Sequence, residues 1–199
     1  MRPEKDRLDT KQKLRVWIRQ DRLSCGYSAY PSLKERIKSL LAPNYILQFE
    51  RCLREVEYLT NSKKNSLGGV FLLFKRWQLR RMQLRLGFTI PINVCGPGLS
   101  LAHYGTIVIS QEARIGDNCR IHAGVNIGAS GGGNKAPMIG NNVYIGPGAI
   151  LFGNIEIADN VSVGANATVN KSFTIPNVVI AGTPAKIMKE NALPWNSGR

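Results

Sequence analysis

The chain contains two histidines, His103 and His122, and these are the residues best suited to proton transfer. An imidazole gives and takes a proton near pH 7, so histidine is the usual general base of an enzyme. For each ring the plainer interpretation is a structural or surface histidine. Two histidines and four scattered cysteines without CxxC spacing are too few for an ordinary zinc site. We therefore expect no bound metal, and reduced thiols at Cys25, Cys52, Cys95 and Cys119.

The sequence around and after the histidines repeats every six residues. Taking every sixth residue from 109 onward, eleven of twelve positions hold Ile, Leu or Val. They are Ile109, Ile115, Ile121, Ile127, Ile139, Ile145, Leu151, Ile157, Val163, Val169 and Ile175. A fixed short period is typical of a solenoid whose repeats bury their faces against one another. The exception, Gly133, lies in a glycine-rich stretch, 129–136, which we expect to leave the coil as a loop.

A small residue follows the aliphatic one in most repeats, as at Gly116, Gly140 and Gly146, and lets the chain turn a corner. A second inward set comprises Ala113, Cys119, Val125, Val143, Ala149, Ile155, Val161, Ala167, Phe173 and Val179. Two inward side chains per six residues predict short strands around a narrow core, that is, a parallel β-helix. His122 lies at a corner, nineteen residues after His103 and close to one coil of eighteen, so we expect the two rings on adjacent coils.

The first 87 residues follow a different pattern and carry most of the charge. They hold 20 Lys and Arg against 8 Asp and Glu, whereas the remainder holds 7 against 5, so the two parts carry +12 and +2. Apolar residues recur at helical spacing in 33–41 and 49–59, and a third helix is predicted over 70–86. The segment 71–86 is either a helix with a solvated basic face or a peripheral contact with an anionic membrane surface or a phosphate-bearing substrate.

Several classes of protein are disfavoured by the composition. The longest mostly apolar stretch near the middle, 66–74, is far shorter than the roughly 20 residues that span a bilayer. The first residues are charged and lack the apolar run of a secretory signal, so we expect a cytoplasmic protein. No aromatic-interleaved RNA motif or zinc finger accompanies the basic residues, so nucleic acid is not a predicted partner.

Five segments of the repeat region carry a further signal. They are Gly98–Ile109 (GLSLAHYGTIVI), Ile115–Cys119 (IGDNC), Val125–Ala129 (VNIGA), Ile139–Gly146 (IGNNVYIG) and Val179–Ile187 (VIAGTPAKI), in a region that covers about half of the chain. In order and spacing these segments resemble the hexapeptide-repeat acyltransferases. Within that family they resemble the serine acetyltransferase branch, including its short members of capsule and exopolysaccharide synthesis.

This resemblance implies a mainly β fold, a left-handed parallel β-helix with three strands per coil, preceded by a small α-helical region. It also implies a homotrimer in which acetyl-CoA, a co-substrate rather than a permanently bound cofactor, lies in the groove between neighbouring subunits. We accordingly expect a basic α-helical region over 1–87, an acyltransferase β-helix over 88–188 and a C-terminal tail over 189–199.

The resemblance also implies roles for single residues. His103 lies where the family places its catalytic histidine, which takes the proton of the acceptor hydroxyl as its oxygen attacks the thioester. Tyr104 and His122 are candidates for the acceptor site, with a structural corner as the alternative for His122. The candidate CoA-binding residues are Gly128, Ala129, Gly146, Gly164, Ala165, Thr183 and Lys186, and a solvated lysine is the alternative for Lys186.

Three positions depart from the pattern of serine acetyltransferases. Ala102 and Phe88 replace two aspartates, and Ala136 replaces a histidine ahead of Pro137. Because such groups serve serine binding and histidine orientation in the family, the main predicted function is acetyl-CoA-dependent O-acetylation of a sugar hydroxyl in polysaccharide biosynthesis. Two alternatives stay open: L-serine O-acetylation for cysteine biosynthesis, and a non-catalytic β-helix that serves as an assembly module.

Overall fold

The computed structural model describes residues 7–62 and 66–198, and its first part is helical. Four helices precede the main run of strands: α1 Lys11–Ser24, α2 Leu33–Leu41, α3 Tyr45–Asn61 and α4 Ser66–Leu86. Helix α1 was not predicted, and α4 begins four residues earlier than expected. The sequence gives little sign of α1 because the side chain that it buries is the charged Asp21.

Side chains cap the first three helices and explain where they begin. Thr10 Oγ1 accepts a hydrogen bond from the Lys13 N–H at the start of α1. Ser32 and Glu35 form a capping box at the start of α2. Asn44 Oδ1 accepts from two backbone N–H groups at the start of α3. These bonds satisfy N–H groups that have no partner within the helix.

Helix α2 has the predicted helical spacing, but none of its residues is buried. Its apolar side chains Leu33, Ile37, Leu40 and Leu41 are between 52% and 84% exposed. By contrast, α3 buries an apolar face that includes Phe49, Leu53 and Val56, and packs between α1 and α4. The helical region is therefore held to the rest of the chain by α1, α3 and α4.

Short strands form three sheets that wrap around one core, as predicted for a parallel β-helix. Sheet A contains β1 Phe88–Thr89, β3 Ile107–Ile109, β6 Asn126–Gly128, β9 Ile150–Phe152 and β12 Thr168–Val169. Sheet B contains β4 Arg114–Ile115, β7 Met138–Ile139 and β10 Glu156–Ile157. Sheet C contains β2 Ser100–Leu101, β5 Arg120–Ile121, β8 Tyr144–Ile145, β11 Ser162–Val163, β13 Val179–Ala181 and β14 Lys186–Lys189. All pairs are parallel except that of β13 with β14.

The register between coils shows where the chain leaves the solenoid. Regular coils pair residues eighteen apart, as Tyr144 pairs with Ser162. Across the glycine-rich stretch the separation rises to twenty-four, as Asn126 pairs with Ile150 and Arg120 with Tyr144. One repeat of six residues is thus extruded as a loop, as the exception at Gly133 predicts. The loop changes neither the strand order nor the facing of the core residues.

Between Ile109 and Phe173 the interior of the β-helix consists almost entirely of the two inward-facing sets that the period predicts. Nearly all members from Ile109 to Phe173 are less than 7% exposed. The prediction is wrong in the last coil, where Ile175 is 53% exposed and Val178 and Ile180 are buried instead. Ser162 pairs with Val179, only seventeen residues away, because this coil is one residue short. The side chains after Phe173 therefore shift by one position relative to the core.

A ladder of asparagines supports one edge of the solenoid. Asn118, Asn142, Asn160 and Asn177 all have positive φ, between 55° and 61°. Asparagine is one of the few side-chain-bearing residues that adopts this region readily. The side-chain amides of the first three each donate to the next asparagine along the stack, at 3.3, 3.0 and 2.9 Å. The ladder links the turns between sheets B and C of four successive coils.

The helices are fastened to the first coil by a buried network centred on Arg54. The guanidinium donates to Asp21 Oδ2 at 2.7 Å and to Glu57 Oε2 at 2.9 Å, and all three side chains are almost fully buried. It also donates to the backbone carbonyl oxygens of Cys95 and Gly96. Buried charges are stable only when they are paired and hydrogen-bonded, and here each one is.

Carboxylates complete this attachment by accepting hydrogen bonds from the backbone of the first coil. Glu57 accepts from the Asn93 N–H at 2.8 Å, Asp21 from Leu99 at 2.9 Å and Glu50 from Leu101 at 3.1 Å. Burial raises the pKa of Glu50 well above its usual value, and the nearby Asp21 carboxylate raises that pKa further. Helices α1 and α3 thereby position the segment that leads directly into His103.

Candidate functional site

The two histidines lie together at one edge of the β-helix, which we name the C-to-A corner because the chain there passes from sheet C to sheet A. The ring centroids of His103 and His122 are 5.6 Å apart, and those of His122 and Tyr144 are 5.0 Å apart. Tyr104 follows His103 and is 55% exposed. The corner thus brings together the residues that were predicted for catalysis and for the acceptor site.

Below His122 the same corner carries a strip of small residues. The register of sheet C places Gly146, Gly164 and Ala181 in successive coils in line with His122. A Cβ on Gly164 would lie 2.8 Å from the Cβ of Ala181, and one on Gly146 would lie 2.8 Å from the Ala165 nitrogen. Coils approach closely here and leave a shallow surface. Ala165 and Thr183 also lie at this corner, where Thr183 Oγ1 donates to the Asn166 carbonyl oxygen at 3.3 Å.

Three other predicted residues lie elsewhere in the chain. Gly128 ends β6 and Ala129 follows it, so both lie where the chain passes from sheet A to sheet B. Lys186 begins the antiparallel strand β14 at the edge of sheet C. A single chain therefore does not bring Gly128 and Ala129 to the corner that holds His103.

The immediate surroundings of His122 keep its ring neutral. Burial lowers the pKa of His122, and the positive charge of Arg120 and the neighbouring His103 lower it further. Arg120 donates from Nε to Nε2 of His122 at 3.4 Å. An imidazole that accepts at Nε2 carries its proton on Nδ1 when neutral. His122 can therefore donate one hydrogen bond from Nδ1 at neutral pH.

Arg120 belongs to the site although the sequence analysis did not select it. Its Nη1 donates to Ser100 Oγ at 3.0 Å, and its guanidinium carbon lies 5.6 Å from the centre of the Trp195 ring. Trp195 Nε1 in turn donates to the Asn118 carbonyl oxygen at 3.0 Å. Arg120 and Tyr144 pair in register on the outer face of sheet C, next to inward-facing Ile121 and Ile145. The six-residue period could therefore have predicted that these two side chains are neighbours. Trp195 follows the last strand, where no period gives its position.

Phe88 and Ala102, two of the three positions that depart from the serine acetyltransferase pattern, have no polar atom in their side chains. Phe88 is buried and lies edge-on to Phe49, with ring centroids 5.1 Å apart. Ala102 directly precedes His103 on the path out of β2. Neither side chain can orient an imidazole by hydrogen bonding. The carboxylate partners that are expected from the resemblance are thus replaced by carbon at both positions.

Within residues 7–62 and 66–198, no group of three or more His, Cys, Asp or Glu side chains is arranged to hold a metal ion. In that same part of the chain, no helix is both long and apolar enough to cross a bilayer.

Known proteins resemble this chain in sequence over the β-helix. Residues 136–171 match the family model of the bacterial transferase hexapeptide (six repeats). The serine acetyltransferase of Mycobacterium tuberculosis is 36% identical over 103 residues, which cover 51% of this chain and 44% of that protein. The serine acetyltransferase of Buchnera aphidicola is 36% identical over 125 residues, 58% of this chain and 48% of that protein. The chain therefore spans less than half the length of these two relatives.

Solved structures extend the similarity to the helices. The serine acetyltransferase of Neisseria gonorrhoeae in complex with serine superposes with a TM-score of 0.68 at 26% identity, covering 90% of this chain and 70% of that one. The serine O-acetyltransferase of Brucella melitensis gives 0.67 at 27% identity, covering 89% and 68%. The fold class is confirmed as a left-handed parallel β-helix preceded by helices. The chain is thus similar to serine acetyltransferases in sequence over its β-helix and in fold over most of its length.

Proposed function

We propose that the chain is an acetyl-CoA-dependent O-acetyltransferase with His103 as its general base. The observation that carries the proposal is the C-to-A corner, where His103 and His122 lie ring to ring beside the strip of Gly146 and Gly164. A shallow strip of small residues that ends at an imidazole suits a long, thin co-substrate with a reactive end. A serine acetyltransferase from Brucella abortus with the same fold, at 22% identity, was solved with coenzyme A. It supports the choice of co-substrate.

In the proposed reaction His103 takes the proton of the acceptor hydroxyl while the oxygen attacks the thioester carbonyl. A C–O bond forms and the carbonyl oxygen becomes an oxyanion. Collapse of this intermediate breaks the C–S bond, and the imidazolium returns its proton to the leaving thiolate. The products are an acetyl ester and the free thiol of CoA, so atoms and charges balance.

Because Phe88 and Ala102 supply no carboxylate, we propose that His122 is a positioning residue. The centroid of its ring lies 5.6 Å from that of the His103 ring. Because its Nε2 accepts a hydrogen bond from Arg120, the neutral ring carries its proton on Nδ1. From there it would hold the acceptor or the His103 ring in place. Tyr104, which is exposed beside His103, would line the acceptor side of the corner.

A complete site is proposed to form between subunits of a homotrimer. The proposal is supported by the separation of the candidates in one chain, since Gly128 and Ala129 lie at a different edge from His103. In a trimer, the backbone N–H groups beside Ala129 of one subunit would approach the histidine corner of the next. They would serve as donors to the pantetheine arm or the oxyanion. Lys186 and Thr183 would contact the remainder of CoA.

L-Serine is the acceptor that the comparisons favour. The curated relatives that match the β-helix are named serine acetyltransferases, and the Neisseria gonorrhoeae enzyme was solved in complex with serine. These relatives favour cysteine biosynthesis over polysaccharide biosynthesis. We therefore place L-serine ahead of the sugar hydroxyl that the departures in the sequence predicted.

A sugar hydroxyl is kept as the second candidate because of one specific observation. The side chains of Ala102 and Phe88 contain only carbon, and Phe88 is buried against Phe49. An α-amino group is best held by a carboxylate, and neither position provides one. An acceptor without an amino group loses nothing by their absence.

The test is release of the CoA thiol from acetyl-CoA, followed colorimetrically, with L-serine and a panel of nucleotide sugars as acceptors. We expect turnover with L-serine and a loss of at least about a hundredfold in His103→Ala. The matched control is His122→Ala, for which we expect a smaller loss. Turnover with a sugar and not with L-serine would establish the second candidate. Absence of both turnover and acetyl-CoA binding would leave the non-catalytic assembly module.

A further inference from the structure

One face of helix α4 is apolar and points away from the molecule. Leu72 and Leu79 are 7% and 5% exposed and mark its inward face. On the opposite side Val70, Leu73, Phe74, Trp77 and Leu84 are between 54% and 69% exposed. We call these five residues the outer face of α4. Several large apolar side chains exposed on one side of a helix mark an interaction site more often than an isolated exposed residue does.

Cations flank this face and are not balanced by acids on the same helix. The sequence of α4 contains five Lys or Arg residues and no Asp or Glu. Lys75 turns inward to Glu55, at 2.7 Å, whereas Arg76, Arg80, Arg81 and Arg85 are exposed. The Arg81 guanidinium carbon lies 5.0 Å from the centre of the Trp77 ring. The apolar row and the positive charge therefore occupy the same surface.

We propose that the outer face of α4 binds the surface of an anionic lipid bilayer, with the helix axis parallel to the membrane plane. Trp and Phe side chains partition into the region between headgroups and acyl chains, and arginines pair with lipid phosphates and carboxylates at the same depth. Tyr45, which is 51% exposed, lines a groove with Trp77 and Arg81 and adds an aromatic ring at its edge. This inference is independent of the acetyl transfer proposed above.

The charge of the face argues against a copy related by two-fold symmetry, and its apolar side chains argue against a nucleic acid. A second copy packed by two-fold symmetry would bring the arginines of one α4 against those of its partner, because a two-fold contact uses the same patch on both sides. A nucleic acid would satisfy the arginines, but it would leave the aliphatic Val70, Leu73 and Leu84 in water. An anionic bilayer satisfies both components, since it offers apolar depth beneath a negatively charged surface.

The test is co-sedimentation of the full chain with vesicles of phosphatidylcholine containing about 30 mol% phosphatidylserine, beside vesicles of phosphatidylcholine alone. We expect binding to the anionic vesicles that weakens at least tenfold between about 0.1 M and about 0.5 M salt. Leu73→Ser, Phe74→Ser and Trp77→Ser together should abolish it. The charge reversals Arg80→Glu, Arg81→Glu and Arg85→Glu should do the same while leaving the apolar row intact.

The matched control is Ile175→Ser, Met188→Ser and Leu193→Ser, three exposed apolar residues outside the helices, which should bind vesicles as the unmodified chain does. Circular dichroism of every variant checks that the helices are kept. Binding that survives both triple variants overturns the proposal, as does equal binding to neutral vesicles. A change of oligomeric state in the serine variant, without vesicle binding by the unmodified chain, would assign the face to a second copy. Retention on RNA in place of vesicles would assign it to nucleic acid.

Discussion

The β-helix and the helical region are stabilised by different means. Between Ile109 and Phe173 the interior of the β-helix is built from small and aliphatic side chains, with backbone hydrogen bonds from coil to coil. Where α1 and α3 meet the first coil, the chain instead buries the ionisable residues Asp21, Glu50, Arg54 and Glu57. A repeated apolar interior tolerates shifts by one repeat, whereas a charged network forms in one arrangement only. The difference suggests that the solenoid supplies the framework and the charged network aligns the segment before His103.

The largest effect is expected from removing the centre of the charged network. Arg54→Ala leaves buried carboxylates at Asp21 and Glu57 without their cation, so we expect the free energy of unfolding to fall by about 3–5 kcal/mol. Urea denaturation followed by circular dichroism measures it. The control is Arg51→Ala: its side chain is 69% exposed and its partner Glu55 keeps a second cation in Lys75, so this pair is worth about 0–1 kcal/mol. Equal losses in the two variants would show that the network does not align the helices.

A slightly smaller loss of stability is expected in the β-helix, where its size depends on whether the coil buries the substituted residue. Ile145 is fully buried, so Ile145→Ala should cost about 2–5 kcal/mol through lost burial and the cavity left behind. Ile175 occupies the same place in the six-residue period but is 53% exposed, so Ile175→Ala should cost less than about 0.5 kcal/mol. Thermal and urea unfolding of the pair give the comparison. A large loss at Ile175 would contradict the shortened last coil.

The smallest expected effect is a change of stability with pH, which arises in the helical region at Glu50. The folded pKa of Glu50 is raised above its usual value of 4.5, so the folded state binds that proton more tightly than the unfolded state. Its contribution to stability is full below about pH 4.5 and is lost as the pH rises through the raised pKa. Glu50→Gln should therefore gain stability relative to the unmodified chain as pH increases. Urea unfolding at several pH values measures this, with Glu112→Gln, at an exposed position, as the matched control.

Much of the β-helix could be predicted from the sequence because burial there has a period. The spacing of the aliphatic residues predicted the core, the extruded loop and the proximity of His103 to His122. The period could not predict the last coil, because one missing residue moves Val178 and Ile180 inward in place of their neighbours. The asparagine ladder repeats as regularly as the glycines, but it follows from backbone angles rather than from hydropathy.

The charged contacts of the helical region and the contact of Arg120 with Trp195 in the site could not be predicted from a repeating pattern. Asp21 and Arg54 are thirty-three residues apart, and no local pattern links them. The same holds for Arg120 and Trp195, which meet because the chain folds back after the last strand. Charged contacts between distant segments are specific to one pair of residues, so they can be recognised only once the fold brings the two side chains together.

The antiparallel strand β14 has a consequence for how the molecule avoids forming fibres. A parallel solenoid ends in a coil whose open backbone edge can accept another strand of the same direction, and so invites end-to-end growth. Here β14 covers the β13 edge in the opposite direction and presents Lys186 and Lys189 to solvent. A second copy that approaches this end meets a strand of reversed polarity and two positive charges. At the end of sheet C, the reversed strand and its two lysines therefore disfavour the stacking of a further parallel coil.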